Sequence, residues 1–208
     1  MKNMIDTLKN IWRIEELRNR ILVTLGLLLI YRIGSFIVLP GVDSKMMAAS
    51  TSGGGGIAEI LAIFTGGAFT RASIFALGIM PYISASIIMQ LMGIAVPAVQ
   101  KKQKEESGRR QINQWTRYLT ILICVFQAPG YIFTTIDAAA RPEGQFWLMT
   151  SIIILSSSTL FVMWLGERIT ERGLGNGISL IIMIGIIAQL PQSFAQEVVG
   201  RVGPGGGG

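Results

Sequence analysis

The sequence contains no histidine and a single cysteine, Cys124, in 208 residues. The first absence removes imidazole as catalyst, proton shuttle or metal ligand, and the second removes any internal disulfide and any thiolate zinc site. Cys124 lies in an apolar run and reads as a small apolar side chain. Charge is scarce too: 14% of residues are Asp, Glu, Lys or Arg, while half are apolar. Such a chain is too hydrophobic for an ordinary soluble domain and belongs in a bilayer. The scarcity is sharpest inside the apolar runs, where Arg32 is the one charged residue. Ion-coupled transporters rely on ionisable groups within the membrane, so their lack favours a passive conduit with apolar constrictions. No nucleotide-binding motif and no cofactor motif is present.

What is present is a set of apolar segments. With about 20 apolar residues needed to cross a bilayer, the segments 21–39, 73–96, 118–136, 146–165 and the shorter 178–194 are expected to be embedded. Basic residues crowd into alternate connections: Lys2, Lys9, Arg13, Arg18 and Arg20 before the first, Lys101, Lys102, Lys104, Arg109, Arg110 and Arg117 after the second, Arg168 and Arg172 after the fourth. This asymmetry places the N-terminus and the loops 97–117 and 166–177 in the cytoplasm. Residues 1–20 form a cytoplasmic arm whose Met1, Ile5, Leu8 and Trp12 recur at helical spacing, which fits an interfacial helix or a frayed arm. The first apolar run is long and no small-residue cleavage site follows it, which argues against a cleaved leader. Residues 195–208, ending VGPGGGG, have linker composition.

Two stretches do not fit simple spans. The segment IAEILAIF, 57–64, is far too short to cross, and glycines flank it on both sides. It either sits within a protein cavity, where irregular backbone at membrane depth finds partners, or lies on the surface as an amphipathic helix. In the second long segment, Pro81 lacks an N–H and its ring crowds the carbonyl of Leu77, which kinks or opens a helix there, with Gly78 adding freedom. Ile79, Ile83 and Gln90 share a face with Ser86 nearby, a mixture suited to an interior rather than to lipid. In the last segment Ile182 and Ile186 stack four apart, and the entry GLGNGIS suggests a tight turn capped by Asn176.

Four blocks in one order, YRIGSFIVLPGVD (31–43), FTGGAFTRASIFALGIMPYISASIIMQL (64–91), ESGRRQINQWTRY (106–118) and MWLGERITERGLGNGIS (163–179), resemble the bacterial SecY family of protein-conducting channels, the core of the Sec translocon. The resemblance implies an all-α integral membrane protein with five transmembrane helices plus a short re-entrant plug helix, one half of a ten-helix pseudo-symmetric channel. Ile57, Ala58, Glu59, Ile60, Leu61, Ala62, Ile63, Phe64, Thr65, Gly66 and Gly67 match the plug. Ile79, Ile83, Ile182 and Ile186 match the pore ring, and Gly78, Pro81, Ser84, Ile87 and Gln90 the hinge and lateral gate. Apolar ring contacts seal against ions by dewetting, yet yield to a chain of any sequence.

The family mechanism implies a signal peptide or nascent helix entering at the gate, departure of the plug, and passage of the chain outward or sideways into lipid of the bacterial cytoplasmic membrane. Implied partners are SecE-type and SecG-type subunits, the SecA ATPase, the ribosome, signal peptides and nascent chains, with Arg109, Arg110 and Arg117 among the cytoplasmic contacts and anionic lipids at the basic face. Only the first half of such a channel is matched, so the chain is expected to be a fragment or one piece of a complex completed by a missing C-terminal half, with residues 21–194 as the five-span body and 195–208 as the outer hinge. The competing readings are one repeat of a five-plus-five secondary transporter and an intramembrane hydrolase, the latter lacking a histidine partner for any nucleophile.

Overall fold

A computed structural model describes residues 14–43, 60, 63–136, 138, 140, 142 and 144–202. Among these the architecture is helical: α1 (Glu15–Gly34), α2 (Met80–Ala95), α3 (Pro97–Lys104), α4 (Glu106–Thr135), α5 (Gln145–Arg172) and α6 (Gly177–Val202). One isolated antiparallel bridge, Val38 to Ser73, ties the segment after α1 to the segment before α2.

Helix α4 shows how the sequence produces this packing. Ile112, Thr116, Thr120, Cys124, Ala128 and Ile132 recur every fourth residue and all are buried, so one ridge of mostly small side chains lets neighbouring helices approach closely. The hydroxyls on that ridge cost little, because Thr116 donates to the Ile112 carbonyl at 2.9 Å and Thr120 to that of Thr116 at 2.7 Å. Around α4 pack α2, α3 and α5, while α5 also carries α1 and α6. The α5–α6 turn is fastened from three directions. Asn176 Oδ1 accepts from the amides of Ile178 and Ser179 at 3.1 and 3.3 Å, the cap expected from the sequence. Thr170 Oγ1 accepts from Gly177 N, and Thr24 of α1 accepts from Leu174 N.

Several sequence-based boundaries move. The first apolar segment, expected over 21–39, is helical from Glu15 to Gly34, with no break between arm and span at residue 20; its continuation turns at Ser35 and enters the bridge. The second, expected from residue 73, becomes helical only at Met80, and Pro81 stands in the first turn of α2. There its missing N–H and fixed φ suit the helix start, so it initiates a helix and kinks none. The basic loop expected over 97–117 is helical. Val96 is extended, as the residue before a proline tends to be, and α2 and α3 meet there at 109°. Helix α4 then runs unbroken through the third segment despite Pro129.

Of the five expected crossings, α4 and α5 are long and apolar enough to span a membrane, and the bent α2–α3 pair makes a third if counted as one span. Helix α1 carries Arg18, Arg20 and Arg32 within its 20 residues, and the apolar part of α6 ends at Pro191. The periodic positions Met1, Ile5, Leu8 and Trp12, the linker glycines from 203 onward, and Ile57, Ala58, Glu59, Leu61 and Ala62 of the expected plug lie outside the described residues.

Candidate functional site

Between α1 and α2 the chain runs through residues 63–79 without forming a long helix, and many of its backbone groups find partners within the segment or in the protein around it. Ile60, Ile63 and Phe64 are helical and exposed; Thr65, Gly66 and Gly67 are buried in a turn. Gly66 and Gly67 have φ of 63° and 80°, a region open to glycine at no steric cost. Arg32 Nη1 donates to the Gly66 carbonyl at 3.2 Å, Arg71 Nη2 to the same oxygen at 2.9 Å, and Arg71 Nε to the Gly67 carbonyl at 3.1 Å. Both guanidiniums lie over the Phe36 ring, 5.0 and 4.6 Å from its centroid, within cation–π range.

Beyond the turn, Tyr131 of α4 donates its hydroxyl to the Phe69 carbonyl at 2.6 Å. Leu39 N donates to the Ala72 carbonyl and Ile74 N to the Ile37 carbonyl, each at 2.8 Å. Ala72, fully buried between these bonds, sits at φ 47°, a conformation non-glycine residues hold only where the surroundings impose it. Such partnering lets irregular backbone exist at membrane depth. Tyr131→Phe leaves the Phe69 carbonyl with only the long bond from Ala72 N at 3.4 Å and is expected to cost about 0.5–1.5 kcal/mol, read as a lower midpoint of unfolding in detergent, with far-ultraviolet dichroism unchanged at low temperature.

The turn abuts α6. A Cβ built on Gly185 falls 2.5 Å from the Phe64 carbonyl oxygen and 3.4 Å from Gly66 N, and one on Gly67 falls 3.0 Å from Gln189 Nε2. One turn back along the same helix is Ile182, packed in an apolar cluster with Ile79, Ile83, Phe75 and Tyr31. At 1.5 Å rise per residue, the Ile182 level and the Phe64–Gly66 turn are about 5 Å apart along α6. Three of the four isoleucines expected in the ring thus share one cluster; Ile79 is buried, Ile83 and Ile182 half-buried. Ile186, half-buried, follows Gly185 and is not part of that cluster.

The expected gate residues lie on or just before α2. Gly78 has φ 52° and donates its amide to the Phe75 carbonyl at 2.9 Å; Pro81 is buried against the bundle. Ser84 is half-buried, and Ile87 and Gln90 are exposed, Gln90 reaching Ser86 Oγ at 3.4 Å. Helix α2 packs on α3, α4 and α5 and makes no backbone-level contact with α6. Its other face, with Ile87, Leu91 and Ile94 exposed, has no partner among the described residues. On the basic side Arg109 and Arg110 are exposed, but Arg117 makes a two-pronged ion pair with Glu167 of α5 at 2.6 and 3.3 Å, fastening α4 to α5. Lys102 lies over the Trp115 ring at 4.8 Å.

The sequence marks Arg32 as the lone charge of the apolar runs, and neither for it nor for Arg71 does spacing give a role. The available signal was local: an arginine inside an apolar run demands polar partners, and a Gly-Gly turn in an otherwise embedded stretch leaves carbonyls that need donors.

The SecY family model matches residues 73–203. Protein translocase subunit SecY of Buchnera aphidicola subsp. Acyrthosiphon kondoi is 46% identical over 190 residues, 88% of this chain and 53% of that protein. The Escherichia coli K12 protein of the same name is 47% identical over 191 residues, 88% of this chain and 43% of its own length. The chain therefore spans about half the length of the relatives it matches. Among solved structures, one described as a protein conducting channel superposes with a TM-score of 0.62 at 20% identity, covering 91% of this chain and 39% of that one. Sec61 in the canine ribosome-channel complex from the endoplasmic reticulum follows at 0.61 and 19%. These likenesses leave the transporter-repeat reading without support, and by the extent of the family match this chain belongs to the SecY family.

Proposed function

We propose that this chain supplies one half of a polypeptide-conducting channel in the bacterial cytoplasmic membrane, serving secretory chains and nascent membrane helices and performing no covalent chemistry. The observation that carries the reading is the order along α6: an isoleucine level at Ile182, shared with Ile79 and Ile83, and the Phe64–Gly67 turn about one helical turn further on. An apolar constriction with a separately held short segment stacked on one side is the arrangement of a pore ring and its plug. In this reading residues 57–67 are the plug and Ile186 completes this half's share of the ring. Five segments are embedded, counting α1 and α6, and the N-terminus and the basic α3–α4 corner face the cytoplasm.

The unpartnered face of α2 is then one side of the lateral gate, with Gly78 and Pro81 at its root and Ser84, Ile87 and Gln90 along it; the facing side belongs to a C-terminal half. A SecE-type subunit clamps the halves and a SecG-type subunit joins them. Arg109 and Arg110 contact SecA, the ribosome or anionic lipid, whereas Arg117 contributes by holding the α4–α5 frame that presents them. The relatives' shared name supports translocation, and the apolar side chains at the Ile79, Ile83 and Ile182 level support a conduit that does not select by charge.

The direct test places a photocrosslinker at Ile83, and separately at Ile88 on another face of α2, in a channel assembled from this chain, a C-terminal half and a SecE-type subunit, with an arrested secretory polypeptide as substrate. Crosslinking is expected at Ile83 and not at Ile88. Equal labelling at both, or at neither, removes α2 from the pore wall and with it this reading.

A further inference from the structure

Arg32 is the basic residue of the last turn of α1, and its partner is a main-chain carbonyl 34 residues away rather than a carboxylate. Among the described residues neither Arg32 nor Arg71 forms an ion pair. Both spend donors on the turn at Gly66 and Gly67, and the Gly66 oxygen uses both its lone pairs on charged donors. The two arginines differ in one decisive respect. Arg71 lies four and five residues from its acceptors, so its bonds brace the turn from within its own loop. Arg32 stands on another helix, so its bond joins the turn to the scaffold.

We propose that Arg32 is the latch of the plug: its bond to the Gly66 carbonyl holds the end of the plug against α1 and α6, and breaking that bond is a step in opening. This rests on residues 57–67 being the plug. Holding two guanidiniums on one carbonyl and one aromatic ring brings like charges close in a partly desolvated place, which disfavours the pair. Withdrawal of the Gly66 carbonyl removes the acceptor that holds the two guanidiniums together and lets the charges part. The latch is therefore built to be broken, in contrast with a carboxylate-paired arginine, whose loss from a buried pair is strongly opposed. Phe36 lies under both charged groups, so it steadies the latched geometry.

The measurement is the resting ion conductance of the assembled channel in planar bilayers, without substrate. Arg32→Gln removes the charged donor and is expected to raise it about ten-fold, the scale of one charge-assisted hydrogen bond. Phe36→Leu, which keeps both arginines, is expected to raise it by less. The same two substitutions are made in a channel whose residues 57–67 are replaced by a short glycine–serine linker. There conductance is already high, and Arg32→Gln is expected to add nothing. If the linker channel leaks while Arg32→Gln and Phe36→Leu both match the parent, the latch is wrong and the plug stands. A linker channel as tight as the parent sinks the plug, and the latch with it. A rise from Arg32→Gln of equal size with and without the plug assigns Arg32 to the scaffold and overturns the latch.

Discussion

Gly177→Val is expected to unfold the α5–α6 pairing. The Gly177 Cα lies so close to α5 that an added Cβ would run into the Gly166 carbonyl oxygen and stand 2.7 Å from the Ile169 Cβ. Neither neighbour is the far end of a flexible side chain. Gly166 is main chain of a continuous helix, and Ile169 is fully buried in the apolar cluster with Leu165, Val162 and Ile181. Two helices meet here backbone to backbone, the contact that small residues permit in membrane bundles. Relief requires α6 to move bodily outward, and that movement also pulls on the capping bonds from Asn176 and Thr170. Overpacking a close-packed site costs about 1–3 kcal/mol where side chains can adjust. With main chain on the other side, the expected loss is at or beyond the upper end of that range. The check is chemical denaturation of the purified chain in detergent: a midpoint within error of the parent means that the α5–α6 contact is looser than described.

The same contact shows which parts of the fold could be read ahead of the structure. Asn176 and the Gly173, Gly175 and Gly177 pattern announce a capped turn because the donors they serve lie two and three residues away. Interactions of that reach are written in local order. The isoleucines at 79, 83 and 182 could be placed on helix faces, since spacing of four is also local, but their meeting in one cluster came from the family likeness. Pro81 reads as a kink from local sequence for a physical reason. A proline inside a helix bends it at a cost and one in the first turn suits it, and spacing alone does not say which turn it occupies. What decides is tertiary: residues 72–74 give their backbone groups to residues 37–39 and so are unavailable to a preceding helical turn. The basic stretch 97–104 read as loop from its charge, although alanine, lysine and glutamine are good helix formers and form α3. The pairing of Arg32 with Gly66 could not be read, because no periodicity links residues 34 apart, and nor could the left-handed Ala72, which only its fully buried surroundings impose.

Gly185→Val is expected to open the resting channel without harming α6 itself. Valine has a higher helix propensity than glycine, and Gly185 sits mid-helix, so the substitution favours the helix in isolation. Its cost falls on what α6 touches. The added Cβ lies 2.5 Å from the Phe64 carbonyl oxygen and 3.4 Å from Gly66 N, and both atoms belong to the turn that we propose to be the seated end of the plug. The turn has to withdraw, and with it the Gly66 carbonyl leaves Arg32 Nη1, already at the long end of hydrogen bonding at 3.2 Å. Overpacking of about 1–3 kcal/mol, felt only when the plug is seated, corresponds to roughly a 5- to 150-fold shift of the closed-to-open ratio. The expected readout is a resting conductance raised within that range, together with export of substrates carrying weakened signal sequences, because the energy of displacing the plug has been supplied in advance. Replacing residues 57–67 by a linker is expected to abolish the difference between glycine and valine at position 185. A valine channel as tight as the parent means that the turn does not rest on α6 in the assembled channel, and the stacked order of isoleucine level and plug along that helix would then have to be abandoned.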